Sequence, residues 1–384
     1  MITAKDAIDR TTAAILRGLQ LDAGSNDSLL HKIAGKTLLL TGAGGFLGRW
    51  IVRTIAAFNA SSPARCKVIA IDSQAAAGDA IVGELRENCD FIYSDLSIPL
   101  GISERIDFAI HAAGIASPYW YKRNPMETIG AAVDGSRYVI KLLRDPQNEG
   151  ARYLFCSSSE VYQTPDEDHV PTREDYVGAI PTMSDRSAYD VSKALGETIA
   201  YVNHERYGIN TGVVRIFNSF GPGIAEYDHR ILPRIASAIK GHRPIRVFVP
   251  RDGSQPSRTY CPVANTVQGI LRALILGSPG EVYNIGAASP EITVQDLVQK
   301  CWSMLDRESP DQDKADFQQG YEVRFETVDP PTVYNKEPQR RCPHIGKAVR
   351  DLGYDPIVGL DEGLRMFLAW ALETYTGEVV PDVR

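Results

Sequence analysis

The segment LLLTGAGGFLGRW (38–50) constrains this chain more than any other stretch. An apolar run stops abruptly in glycines, and a helix-compatible stretch follows. Gly42, Gly45 and Gly48 stand three apart. Glycines so placed let a strand turn tightly into a helix and let the backbone approach a ligand closely. The helix N-terminus then presents its unsatisfied N–H groups to an anion such as a pyrophosphate.

The rest of the first half repeats the pattern. KVIAID (67–72), DFIY (90–93), DFAIHAA (107–113), RYLFCSS (152–158) and GVVRIF (212–217) are further apolar runs, with helical patterns at 46–59, 124–144 and 187–206 between several of them. Apolar strands alternating with helices predict an α/β fold, a doubly wound parallel sheet of the Rossmann type covered on both faces. After Gly221 the pattern turns mixed and richer in Pro and Gly, which predicts a smaller mixed C-terminal lobe. Residues 1–35 stand apart as an N-terminal extension. Ile8, Ile15, Leu16 and Leu19 share one helix face there, expected to pack, before the turn-rich 22–28. Residues 306–320 read as a polar loop.

Composition removes several classes of function. Across 384 residues, 41 Lys and Arg face 48 Asp and Glu, a net charge of −7. A nucleic-acid binder is usually basic, so no nucleic-acid partner is expected. No run reaches the ~20 apolar residues of a membrane helix, and the charged start MITAKDAIDR lacks a signal peptide's apolar centre. The six cysteines form no CxxC pair and the seven histidines no HExxH or HxxxH spacing, so free thiols in the cytoplasm and no metal site are expected.

Two acids extend the nucleotide reading. Asp72 ends the second run, where a carboxylate hydrogen-bonds the adenine ribose hydroxyls. No Lys or Arg occurs from Ser73 to Leu85 to favour a 2′-phosphate, so NAD rather than NADP is expected. Asp95, after the third run, is placed at the adenine or in a turn.

The chemistry is read from SAYDVSK (187–193). Tyr189 and Lys193 are four apart and share one helix face. Lowering a phenol pKa from ~10 to about 7 takes roughly 4 kcal/mol. One positive charge at ~4 Å supplies on the order of that at an effective dielectric of ~20. Lys193 with an oxidised nicotinamide would make Tyr189 a working base. Ser157, Ser158 and Ser159 end an earlier strand, where side chains face the ligand crevice.

Together TGAGGFLG (41–48), HAAG (111–114), SSSEVY (157–162), YDVSK (189–193) and RIFNSFGPG (215–223) resemble the extended short-chain dehydrogenase/reductases that modify nucleotide sugars. The resemblance runs from about Lys36 to GLDEGL (359–364). It implies a catalytic set of Ser158, Tyr189 and Lys193, bound NAD touching Phe46, Leu47, Leu96 and Ala112 besides the residues above, and a homodimer formed through the helices near 124–144 and 187–206. It also implies an NAD-binding domain over 36–218, rejoined by 259–287, and a nucleotide-sugar lobe from 219–258 and 288–384.

Within that family, four segments resemble the UDP-glucuronate decarboxylases: ASPYWYKRNPMET (116–128), SSEVY with Glu160, RSAYDVSK with Arg186, and DHRILPR (228–234) with Arg230. This implies catalytic Glu160 and substrate contacts from Tyr121, Arg186, Asn218 and Arg230. Arg258 and Arg341 are expected at the diphosphate, and Phe248 on the base. The implied reaction is NAD-dependent, redox-neutral decarboxylation of a nucleoside-diphosphate hexuronate through a 4-keto intermediate. The alternatives are 4-epimerisation, 4,6-dehydration, and a non-catalytic NAD-binding sensor. The chain departs from the pattern at Ala132, where the family has a structural Asn, in the longer 249–258 segment, at Asn265 for an acid, and at His344 in RCPHI. The last three are expected to touch the nucleotide lobe.

Overall fold

A computed structural model describes residues 2–21, 27–73, 79–96, 98, 101–250, 255–308, 323–328 and 339–378. Six strands form in chain order: β1 (Thr37–Thr41), β2 (Lys67–Asp72), β3 (Asp90–Tyr93), β4 (Phe108–His111), β5 (Arg152–Ser158) and β6 (Asn210–Ile216). With strand Val282–Ile285 they make one seven-stranded sheet in the order (282–285)-β6-β5-β4-β1-β2-β3. Every pairing in it is parallel. Chain order reverses between β1 and β4, and ligands of such sheets sit at that switch point, off the carboxyl ends of the strands.

Burial explains the unbroken apolar runs. Leu38, Leu39 and Leu40 are fully enclosed, and all seven residues of β5 are buried. A buried leucine contributes roughly 1.5–3 kcal/mol, and only a sheet covered on both faces gains it at successive positions. DFIY behaves differently: as edge strand β3 it leaves Ile92 and Tyr93 exposed.

The N-terminal extension is part of the main core. Helix Ala4–Gly18 starts with a reciprocal cap between Thr3 and Asp6 and buries Ala7, Ala14 and Ile15. It lies against the helices Val263–Leu276 and Leu360–Thr374. Arg272 Nε and Gln268 Nε2 donate to the Gly18 carbonyl at 2.8 and 2.7 Å, which caps its C-terminus from the neighbouring helix.

A second core gathers Phe220, Leu232, Ile235, Leu297 and Phe367. Around it lie a mixed three-stranded sheet (Glu291–Thr293, Ser257–Thr259, Arg340–Arg341) and the parallel pair Ile245–Pro250 with Val323–Val328. Much of 306–320 lies outside the described residues. Among the described residues no helix is long and apolar enough to cross a membrane.

Candidate active site

Strand ends from the sheet meet the second core around a cleft of about 450 Å³. The glycine turn closes one end, Ser158, Tyr189 and Lys193 line its middle, and Arg230, Arg258 and Tyr260 stand on the opposing wall.

At the turn the glycines are required by space. Gly42 has φ +74°, and a Cβ there would lie 2.6 Å from the Ala113 nitrogen. A Cβ on Gly48 would lie 2.1 Å from the Gly42 carbonyl oxygen. Both clashes are with backbone, which cannot swing aside. Helix Phe46–Ser61 begins at Gly45 with no side-chain cap, which leaves its first N–H groups to an anion. Asp72, 8% exposed, accepts from Gly44 N at 2.7 Å and Ser73 N at 2.8 Å. Burial raises its pKa, and these donors oppose the rise. Asp72 thus braces the glycine turn. This cradle, which a single Cβ would fill, fits a dinucleotide.

Helix Ser187–Tyr207 carries Tyr189 and Lys193 on the face packed against β5. Tyr189 and Ser158 line the cleft together, and the Ser158 hydroxyl favours the ionised form of the phenol. Ser158 Oγ also accepts from Glu160 N at 3.2 Å. Lys193 Nζ donates to the Cys156 carbonyl at 2.8 Å and lies 5.8 Å from the Tyr189 ring centre. Burial lowers Lys193 to about 8. Burial also pushes Tyr189 up to about 12, helped by the Glu160 and Asp190 charges and opposed by the Ser158 hydrogen bond and Arg230. The lowering was expected from an oxidised nicotinamide together with Lys193. Its ammonium is engaged by Cys156, and desolvation dominates, so the lowering charge must arrive with the dinucleotide.

Beside this pair lies a buried charge cluster. Glu160 meets Arg341 through both carboxylate oxygens, at 2.8 Å for Nη2–Oε2, and Arg186 Nη2 at 2.6 Å. Burial alone would raise the Glu160 carboxyl, yet Arg341 and then Arg186 hold it down at about 2. Arg341, expected at the diphosphate, lines the cleft and directs its guanidinium at Glu160. Asp190 lies 3.5 Å from Arg186 Nε and accepts from Gln163 Nε2 at 3.0 Å. It is 1% exposed, and its Oδ1 has no hydrogen-bond partner. Burial, with the Glu160 charge, moves it up to about 6 against the pull of Arg186. The sequence reading did not single out Asp190 or Gln163. The four-residue spacing of Arg186 and Asp190 was the available signal.

Tyr121 is 1% exposed and stacks on Tyr189, ring centres 5.2 Å apart and 11° from parallel. It limits where the Tyr189 ring can move. Arg230 lines the cleft and is held by Asp228, at 2.8 Å for Nη2–Oδ2. Asn218, at φ +37°, donates to the Thr259 carbonyl at 2.9 Å and joins the two walls. Arg258 lines the second-lobe wall, with Nη1 on the Ser257 carbonyl at 2.8 Å. Phe46, Leu47 and Ala112 line the cleft beside the glycine turn.

Other expected residues fall elsewhere. Asp95 is exposed beyond β3, its carbonyl accepting from Ile98 N, and does not line the cleft. Leu96 is buried against Gly135 and is not part of the lining. Phe248 stands in strand Ile245–Pro250 opposite Glu326, and its side chain lies outside the described residues.

Two of the departures are not part of the cleft lining. Asn265 exchanges two hydrogen bonds with the Val358 backbone, and His344 pairs through its backbone with Thr172 and Asn284. Neither lines the cleft, though Asn265 reaches Val358 of the expected nucleotide lobe and His344 lies within it. Ala132 lies in a wide turn, Gly130–Asp134, and its carbonyl contacts His111 Nε2 at 3.3 Å.

Comparison with known proteins agrees with this geometry. Residues 38–286 match the model of the NAD dependent epimerase/dehydratase family. UDP-glucuronic acid decarboxylase 6 of Arabidopsis thaliana is 31% identical over 85% of this chain and 86% of that protein. UDP-glucuronic acid decarboxylase 1 of Danio rerio is 32% identical over 72% of this chain and 60% of its own length. Among solved structures, UDP-glucose 4-epimerase of Thermotoga maritima superposes with a TM-score of 0.70 at 20% identity, covering 87% of this chain and 98% of that one. The dTDP-glucose 4,6-dehydratase DesIV of Streptomyces venezuelae gives 0.71 at 23%, covering 88% and 97%. The glycine cradle, the Ser158–Tyr189–Lys193 set and these matches lead to one assignment: the chain belongs to the NAD dependent epimerase/dehydratase family, the extended short-chain dehydrogenase/reductases, and is an NAD-dependent enzyme.

Proposed function

We propose that the enzyme removes carbon dioxide from a nucleoside-diphosphate hexuronate, UDP-glucuronate or a close analogue, with no net redox change. The carrying observation is the cluster of Arg186, Arg341, Glu160 and Asp190 beside the Ser158–Tyr189 pair. Arg186 and Arg341 line the cleft beside Ser158 and Tyr189, where a further negative charge can share their guanidiniums and keep Asp190 protonated. The C6 carboxylate of a uronate supplies such a charge. The relatives named as UDP-glucuronic acid decarboxylases support the same substrate class.

Tyr189, once ionised, takes the proton of the sugar 4-hydroxyl, and Ser158 orients that oxygen. NAD, held at the turn of Gly42, Gly45 and Gly48, would supply a reversible hydride acceptor for C4. With a ketone at C4, the C6 carboxylate belongs to a β-keto acid. The C5–C6 bond breaks, carbon dioxide leaves, and the electron pair moves onto the C4 oxygen. Hydrogen bonds from Tyr189 and Ser158 strengthen as that charge develops. Glu160, held in place by Arg341, orients the water that reprotonates C5. Arg258 and Arg230 bind the diphosphate end through charge-assisted hydrogen bonds. The protein works as a homodimer through the helices of 124–144 and 187–206, in the cytoplasm, where its six free thiols stay reduced.

The test offers UDP-glucuronate carrying labelled C6 together with NAD. Labelled carbon dioxide and a pentose nucleotide are expected. A six-carbon product that keeps its carboxylate would make the enzyme an epimerase. A single-chain mass by light scattering would remove the dimer.

A further inference from the structure

A second cavity, of about 350 Å³, opens at the amino edge of the central sheet, at the opposite ends of the strands from the cleft. Arg152, the first residue of β5, lines it and is 5% exposed. Its Nη1 donates to Asn210 Oδ1 at 2.5 Å and its Nη2 to the Ala273 carbonyl at 3.1 Å. Its Nε is buried with no hydrogen-bond partner. No described carboxylate forms an ion pair with it, and burial lowers its pKa to about 10. Asn210 and Ala273 offer dipoles but no counter-charge. A guanidinium has five donors, and two are used here.

The position is fixed. A Cβ on Gly212 or Gly277 would lie 2.8 or 2.7 Å from Arg152 Nη2, so glycines make the room that the guanidinium fills. Lys36 and Arg105 stand on the cavity lining and are mostly solvent-facing. They share one carboxylate, Asp107, at 3.7 and 3.4 Å, and its other oxygen accepts from Thr37 N at 2.9 Å. Glu149 is the other acid of the lining and is exposed. Three cations therefore face two acids, and the most buried cation has none. A buried charge without a partner is costly, and a bound counter-ion removes that cost.

We propose that this cavity binds a small oxyanion of the phosphate class, with Arg152 as its buried anchor and Lys36 and Arg105 at its mouth. Free inorganic phosphate and the terminal phosphate of a nucleotide share the required chemistry. The site is independent of the catalytic reading, since no residue of the cleft takes part.

The test measures thermal unfolding of the full chain in the presence of saturating NAD and UDP, which occupy the cleft. Inorganic phosphate is titrated against chloride at constant ionic strength. The midpoint should rise with phosphate and saturate, as for any ligand of the folded state. Arg152→Met should abolish the response. The double variant Lys36→Ala/Arg105→Ala should raise the apparent dissociation constant at least fivefold. Its residues are exposed, so it decides the matter should Arg152→Met fail to fold. A nucleoside monophosphate that binds tighter than inorganic phosphate supports a nucleotide ligand, and equal binding supports free phosphate. No phosphate response beyond that of chloride, or the same response in wild type and variants, overturns the proposal.

Discussion

Replacing Glu160 by Gln removes one negative charge from between two guanidiniums and keeps nearly the same shape. In the wild type Arg341 and Arg186 hold this carboxyl at about 2 against an ordinary value of 4.5. That difference corresponds to roughly 3 kcal/mol in favour of the ionised form. Breaking a buried pair by deleting one partner costs about 3–5 kcal/mol. Glutamine keeps one acceptor oxygen, so the expected loss at pH 7 is about 3 kcal/mol, read from urea unfolding. The pH dependence gives a second signature. The wild-type stabilisation from Glu160 is complete above its ordinary pKa and disappears as pH falls from 4.5 through about 2. Asp190 works in the other direction. Its folded value of about 6 lies above the ordinary 3.8, so it destabilises above pH 6 and is relieved as pH falls from 6 towards 4. Part of that rise comes from the Glu160 charge. Glu160→Gln should therefore weaken both limbs: less stability to lose below pH 4.5 and less to recover between pH 7 and 5. A loss below about 1 kcal/mol with an unchanged pH profile would refute the reasoning that this carboxylate neutralises the two arginines.

Four further outcomes follow from the same geometry. Tyr189→Phe should lower turnover by at least the 10²–10⁴-fold typical of a general base while circular dichroism and the unfolding midpoint stay close to wild type; near-normal turnover would remove Tyr189 from the mechanism. Asp72→Ala should weaken NAD and narrow its margin over NADP, measured by fluorescence titration, and tighter NADP than NAD binding in the wild type would contradict the reading. Gly48→Ala should abolish NAD binding, because its Cβ would meet the Gly42 carbonyl oxygen at 2.1 Å, and unchanged affinity would mean that the cradle lies elsewhere. Arg258→Ala should raise the KM for the sugar nucleotide at least tenfold more than that for NAD, whereas equal effects would place the arginine away from the diphosphate.

What the sequence made legible was local. Gly42, Gly45 and Gly48 announce their turn because the backbone constraint lies within a few residues. Tyr189 and Lys193 announce their shared face because four residues make about one helical turn. Contacts between distant segments were hidden. Arg341 reads as a phosphate ligand until the fold brings it onto Glu160, 181 residues away. Tyr121 reads as a substrate contact until its ring is found stacked on Tyr189. Asn265 and His344 read as altered specificity, yet the Asn265 amide is spent on the Val358 backbone and His344 bonds through its own backbone. The phenol's pKa was also out of reach from the sequence, since it depends on desolvation, which spacing along a chain does not report.

The docking of helix Ala4–Gly18 has a consequence for how the protein is made. Its apolar face needs the helices Val263–Leu276 and Leu360–Thr374 as partners. Its last turn needs Arg272 and Gln268, and its first residue donates to Glu373. A ribosome adding about 5–20 residues per second completes those partners roughly twenty to seventy seconds after the helix has emerged. For that interval Ile15 and Leu19 have only part of their native surroundings, chiefly helix Phe46–Ser61 and the 29–33 turn. The nascent chain carries an adhesive segment at 4–19 until helix Leu360–Thr374 is released, so a segment made well before its partners finds its full set of native neighbours late.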